Sequence, residues 1–210
     1  MSFDQLETQS LIVKAKLGNQ EALNNLFARY QDRVLRIVRL RLGSQIRNKL
    51  QSMDLLQEVF LSAFQKIQDF EPTSEGAFIH WLAKIVQNKL IDHVNNFNAS
   101  KRKAPYGEVP LDDFSVDGNS GDRLKIDPPA NDTTPSQFVI RQEAKTVVDD
   151  LLAKLKEADR EIIIYHSLEE LTFNEIGQML NKSEDAVRKK YQRAMLKLVE
   201  LAEGAPVSLG

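Results

Sequence analysis

The sequence predicts an all-α protein, two helical domains joined by an acidic linker that contains proline and glycine. Three observations predict it. Apolar residues recur at spacings of three and four over residues 4–97 and again beyond 136. No alternating run is long enough for a convincing strand, and no repeat occurs at solenoid periods. Composition also changes abruptly after Lys101-Arg102-Lys103: residues 104–135 hold five of the seven prolines, three glycines, and seven acidic against two basic residues. Such a segment cannot bury enough apolar surface to offset chain entropy, so it reads as an extended tether. Composition leaves open whether it is a plain spacer or a functional strap. The expected division is 1–103, linker 104–135, second domain 136–203 and tail 204–210.

In chain order, Leu6, Ile12, Val13 and Leu17 form a first apolar stripe, broken at Gly18-Asn19. A second helix runs from about Glu21 to Leu42 on Leu23, Leu26, Phe27, Tyr30, Val34, Ile37 and Val38, with Gly43 as a stop. Ser52 or Asp54 can cap a third helix bearing Leu55, Leu56, Val59, Phe60, Ala63, Phe64 and Ile67. Glu71-Pro72-Thr73-Ser74-Glu75-Gly76 ends it, and a fourth helix runs from about Ala77 to Phe97. Helix resumes at Thr134-Pro135-Ser136-Gln137, a capping hydroxyl followed by proline at the first helical position. Ile162-Ile163-Ile164-Tyr165 is strand-like locally but too short and isolated to pair, and Asp159-Arg160-Glu161 before it suits a helix start.

Composition narrows the function classes. Hydrophobic content of 42% with 28% charge is ordinary for a soluble globular protein. No apolar run approaches the ~20 residues of a membrane span, and the acidic start lacks a signal-peptide core. The absence of cysteine excludes disulfides and thiolate metal sites and fits a cytoplasmic protein. His80, His93 and His166 lie far apart, and no metalloprotease, nucleophile-elbow or phosphate-loop motif occurs. Neither an enzyme nor a cofactor is expected. The net charge of −2 argues against a simple nucleic-acid coat, so the distribution of charge carries the information.

That distribution is most informative over residues 172–198. Thr172-Phe173-Asn174-Glu175 has the pattern of a capping box. The helix it opens turns Phe173, Ile176 and Leu180 inward, with small Gly177 where a second helix can cross closely. Asn181-Lys182 makes a tight turn, and Ser183 caps a helix that buries Val187, Tyr191, Ala194 and Leu198. Short helix, tight turn, second helix is the geometry that inserts a helix into the major groove. Arg188, Lys189, Gln192 and Arg193 occupy the opposite face, and residues 183–197 carry five basic against two acidic side chains. Arg and Gln can contact base edges bidentately, whereas Lys mainly neutralises phosphate. An amphipathic helix with a solvated basic face would also show such a cluster. The capping box, small residue, turn and cap in register favour DNA binding.

The first block has basic clusters of its own. Arg29, Arg33, Arg36, Arg39, Arg41, Arg47 and Lys49 fit a solvated helix face as well as they fit a binding face. Lys84, Lys89, Lys101, Arg102 and Lys103 lie near Phe70, Phe78, His80 and Trp81, and aromatic planes beside cations suit unstacked bases. Trp81 and Phe78 also sit at core spacing, and a core or partly buried Trp81 is the favoured reading.

At this point the chain resembles a known family. Asp54-Leu55-Leu56-Gln57-Glu58-Val59-Phe60-Leu61 is similar to region 2.2 of sigma-70 family factors. His80-Trp81-Leu82-Ala83-Lys84-Ile85-Val86-Gln87-Asn88 resembles regions 2.3 and 2.4. Residues 172–177 and 183–194 resemble region 4.2, and the layout without a region 3 domain resembles the extracytoplasmic-function (ECF) subgroup. The resemblance implies an alternative sigma factor that binds core RNA polymerase and promoter DNA and directs transcription initiation. By that resemblance, Asp54, Gln57, Glu58 and Phe60 meet the polymerase clamp. Phe78, Trp81, Lys84 and Asn88, with the loop around Thr73, engage the minus-10 strand. Arg188, Lys189, Gln192 and Arg193 read the minus-35 element. An anti-sigma factor is a further expected partner, and the acidic linker's charge suits a channel built for a polyanion.

Two departures stand out: residues 43–53 are longer and more basic than the family usually shows, and the loop 71–76 has unusual residues. Read without the family, the residues also admit a dimeric helix-turn-helix repressor or activator with half-sites one helical turn apart. They admit as well a helical protein-binding adaptor, which would lack salt-sensitive DNA affinity.

Overall fold

The computed structural model describes residues 3–42, 51–72, 76–103 and 147–204. Among these there is no strand. The linker, Gly43, residues 44–50, the loop 73–75 and the cap expected at Thr134 lie outside the described residues.

Helix α1 spans Phe3–Lys16 and α2 spans Gln20–Arg41. The break between them is Gly18, whose φ of +85° is one that glycine adopts without Cβ strain, followed by Asn19. Asn19 caps α2, its Oδ1 accepting from the backbone N–H of Ala22 at 2.8 Å. The α1 stripe differs from the expected one. Ile12 and Ala15 face the core, while Leu6 and Val13 are exposed and Leu17 is 82% exposed. Packing against α2 selects the face that carries Thr8, Ile12 and Ala15, and Leu17 has passed the end of the helix.

Helix α3 covers Ser52–Lys66 and tightens into a 3₁₀ turn at Ile67–Asp69. Its N-cap is Gln51, without a side-chain cap bond, so neither Ser52 nor Asp54 fills the capping role. Helix α4 extends over Ala77–Lys103, beyond the expected end at Phe97. Helices α2, α3 and α4 pack around Leu26, Phe27, Val34, Ile37, Leu55, Val59 and Leu82, all fully buried. Phe27 and Phe60 stack with centroids 4.5 Å apart.

In the second block a helix α5 over 147–154 leads to α6, Glu157–Ile163. The isoleucine run that looked strand-like is helical. It continues into a π-helical turn at Ile164–Leu168, where the N–H of Glu169 reaches back five residues to the carbonyl of Ile164 at 2.9 Å. Glu170 follows with φ of +59°. Helices α7, Phe173–Leu180, and α8, Glu184–Glu203, complete the block. Lys197 of α8 donates to Asp159 of α6 at 2.6 Å, and this bond holds the Asp159 carboxyl below its ordinary range. A lowered carboxyl pKa stabilises the fold above the unfolded-state value, and that stability is lost as pH falls through the folded value. The stability difference between wild type and Asp159→Asn is therefore expected to be constant near neutrality and to shrink below the ordinary carboxylate range. Urea melts at stepped pH check this; half-exposed Lys197 limits the pair to about 0.2–1 kcal/mol.

The two blocks share one apolar core. Leu152, Leu155, Ile162, Ile163 and Ile164 join the same buried cluster as Phe27 and Val34. Around it run ion pairs from α2 to the second block: Arg33 to Glu170 at 2.6 Å, Arg36 to Asp149 at 2.8 Å, and Arg41 to Glu161 at 2.8 Å and Glu169 at 2.7 Å. The arginine row left open between a solvated and a binding face is thus largely consumed inside the molecule, with Arg29 bound to Glu7 as well.

Candidate nucleic-acid interface

The helix-turn-helix is built by its caps. Thr172 Oγ1 accepts from the N–H of Glu175 at 3.2 Å, and Glu175 Oε2 accepts from the N–H of Thr172 at 2.8 Å, a complete capping box. Asn181, at φ +54°, ends α7 in the left-handed conformation, and Ser183 caps α8 through the N–H of Ala186 at 3.3 Å. Gly177 is needed at this corner, since a Cβ there would lie 2.7 Å from the carbonyl of Lys182. The close approach is to the turn and to the first residue of α8. Thr172→Ala is expected to lower stability by about 1 kcal/mol without altering α8, measurable by thermal melting.

Val187 and Ala194 are buried beneath α8, as their spacing predicts. His166 fills the space behind, stacked on Phe173 at 4.2 Å and set edge-on to Tyr191 at 4.8 Å. Its Nδ1 lies 2.9 Å from the carbonyl oxygen of Leu171, which gives it a packing role. Arg188, Lys189, Gln192 and Arg193 are all exposed on one face. Arg188 is pre-oriented by Glu184 and Asp185 and lies 5.7 Å over the Phe173 ring. Arg193 Nε donates to the backbone carbonyl of Lys189 at 3.2 Å.

A second surface forms in the first block. Trp81, Lys84 and Asn88 follow one another at spacings of three and four on α4, and Lys84 and Asn88 are exposed. Trp81 is partly buried, with its ring 5.0 Å from Phe70 and 5.6 Å from Phe78. Phe78 departs from its expected role. It is 3% exposed, closed in by Tyr30, Phe70 and Trp81, so it supports the surface from below and offers no face to a base. A cavity of about 540 Å³ opens beside Trp81, lined on one side by Phe70, His80 and Lys84 and on the other by Glu175, Gln178 and Met179.

The third surface lies on α3. Asp54 and Gln57 are exposed, while Glu58 is half-buried between His93, 3.1 Å away, and Lys89. Phe60 also departs from its expected role. Stacked on Phe27 and 1% exposed, it belongs to the core and has no surface to give a partner. On the same helix Leu61 is 51% and Phe64 44% exposed, and Ile91 and Val94 of α4 are exposed as well. In the sequence Phe64 belongs to the same apolar set as Phe60. The signal was ambiguous because Phe60 and Phe64 share a helical stripe, and only the position of Phe27 decides which is covered.

Capped helix-turn-helix, aromatic surface with cations and an acidic-apolar helix face thus occur in one all-helical chain. The family described as ECF sigma factor matches residues 6–202. The chain belongs to the ECF sigma factor family. Members of this family act with core RNA polymerase and promoter DNA in transcription initiation. This ECF sigma factor is 27% identical over 192 residues to the ECF RNA polymerase sigma-E factor of Haemophilus influenzae, covering 91% of this chain and 93% of that one. It is 26% identical over 182 residues to the ECF RNA polymerase sigma factor SigW of Bacillus subtilis, covering 87% and 89%. Its fold is similar to that of CnrH, solved in complex with the cytosolic domain of CnrY, with a TM-score of 0.53 at 22% identity over 94% of this chain and 97% of that one. No described helix of the ECF sigma factor is long and apolar enough to cross a membrane.

Proposed function

We infer that this chain is an alternative sigma factor that docks on core RNA polymerase through α3, engages the minus-10 strand through α4 and reads the minus-35 duplex through α8. The single observation that carries the reading is the family match over residues 6–202. The exposed Arg188, Lys189, Gln192 and Arg193 on a doubly capped helix-turn-helix support the duplex role. Exposed Lys84 and Asn88 beside partly exposed Trp81 support the single-strand role, in which melting means trapping extruded bases with no covalent chemistry. For the polymerase, Asp54, Gln57 and Glu58 supply acceptors, and exposed Leu61 and Phe64 supply apolar contact in place of Phe60. Residues 1–103 and 136–203 are the two working domains on this reading, and an anti-sigma factor is a fitting regulator.

Co-purification with core RNA polymerase tests the whole assignment, since neither a dimeric repressor nor an adaptor would be retained and then initiate transcription. Gln57→Ala with Glu58→Ala is expected to lose core binding with the fold intact. Arg188→Ala is expected to cost about 1–3 kcal/mol in promoter affinity and to relax preference at one base pair. Unchanged preference in a binding-site selection would reject the role of Arg188.

A further inference from the structure

We propose that the free chain is held shut by an ion-pair latch that sets the second block over the minus-10 surface, so that single-strand engagement requires the latch to open. This rests on the reading of Trp81 and Lys84 as minus-10 contacts. The centre of the latch is Glu169, 1% exposed, delivered inward by the π-helical turn. Its Oε1 lies 2.7 Å from Arg41 Nη2, a charge contact without hydrogen-bond alignment, and its Oε2 lies 2.8 Å from His80 Nδ1. Arg41 and His80 belong to the first block, and His80 is the neighbour of Trp81 on α4.

Two features flank that centre. Arg36 directs both Nε and Nη2 at Asp149 Oδ1, at 3.0 and 2.8 Å. Gly76, at the foot of α4, packs so tightly on the second block that a Cβ would lie 2.8 Å from that of Glu170 and 3.0 Å from the carbonyl oxygens of Glu169 and Glu170.

The consequence is asymmetric. Glu175, Gln178 and Met179 form the far wall of the cavity beside Trp81 and Lys84, so the second block narrows the approach of a strand of extruded bases to Trp81. The reading face of α8 stays exposed. Duplex recognition is thus available in the closed form, and strand capture is hindered.

Trp81 is the single tryptophan of the chain, so its fluorescence reports the latch without labelling. Arg36→Glu, which sets a carboxylate against Asp149, is expected to red-shift the emission and raise acrylamide quenching with helical content by circular dichroism unchanged. The swapped pair Arg36→Glu with Asp149→Arg is expected to restore both. A wild type as quenchable as Arg36→Glu, or a swap that restores nothing, overturns the latch. The opened variant is also expected to bind a mixed-sequence single-stranded oligodeoxynucleotide about tenfold tighter or more, because apparent affinity scales with the competent fraction. That gain would come despite the added negative charge. Opening without tighter binding overturns the masking. Tighter binding that Trp81→Ala leaves unchanged supports the latch and strikes the minus-10 assignment itself.

Discussion

Arg41→Met is expected to lower the stability of the closed chain by about 3–5 kcal/mol, the usual cost of leaving a buried carboxylate without its partner. Arg41 is 7% exposed in its side chain and holds Glu161 and Glu169 together. Burial of the guanidinium opposes its charge. The Glu161 hydrogen bonds and the fields of Glu169 and Glu161 outweigh that penalty and hold Arg41 above the ordinary arginine range. Its cation also lies 5.3 Å over the Tyr165 ring. With Met in its place, Glu169 faces His80 alone. Arg41 and Glu169 sit on different blocks, so the molecule can relieve the strain by separating them, which caps the loss at the free energy of opening. Calorimetry is expected to resolve two transitions for Arg41→Met where wild type shows one. A double-mutant cycle with Glu169→Gln is expected to give a large coupling energy, and additive losses would show that the contact contributes nothing.

Phe60→Ala is the second large effect, about 3–5 kcal/mol, from lost transfer energy and the cavity left against Phe27 in the buried core. For a chain of this size that corresponds to a fall in Tm of roughly 10 °C. The two explanations of any lost polymerase binding then separate cleanly. Phe60→Ala is expected to lose binding in proportion to unfolded protein, with normal affinity at low temperature. Phe64→Ala, at an exposed position, is expected to leave the melt nearly unchanged and to weaken core binding at every temperature. A stable Phe60→Ala that fails to bind at low temperature would return Phe60 to the surface role that its motif suggested.

Much of this architecture was legible in the amino-acid order because it is local. Capping boxes, left-handed turn residues and spacings of three and four act within one or two helical turns. Thr172, Glu175, Asn181 and Ser183 therefore do in the structure what their pattern predicts. The exposed face of α8 follows from the same rule, since burying Val187 and Ala194 turns Arg188 and Gln192 outward. The π-helical turn was not legible. A run of isoleucines has no signature for an extra residue per turn, and the turn packs on distant elements, against α2 on one side and against Phe173 and Tyr191 on the other.

Helical content, the helix-turn-helix and the motif order that marks the family were thus readable from the amino-acid order alone. Which member of an apolar stripe is covered, Phe60 or Phe64, Ile12 or Leu17, and where the arginines of α2 find their carboxylates follow from long-range packing instead. Those partners lie 113 to 137 residues away for Arg36, Arg41 and Arg33. A charge row reads the same in sequence whether it meets water, phosphate or a distant glutamate. The difference appears only when the chain brings the two blocks together and burial makes pairing obligatory.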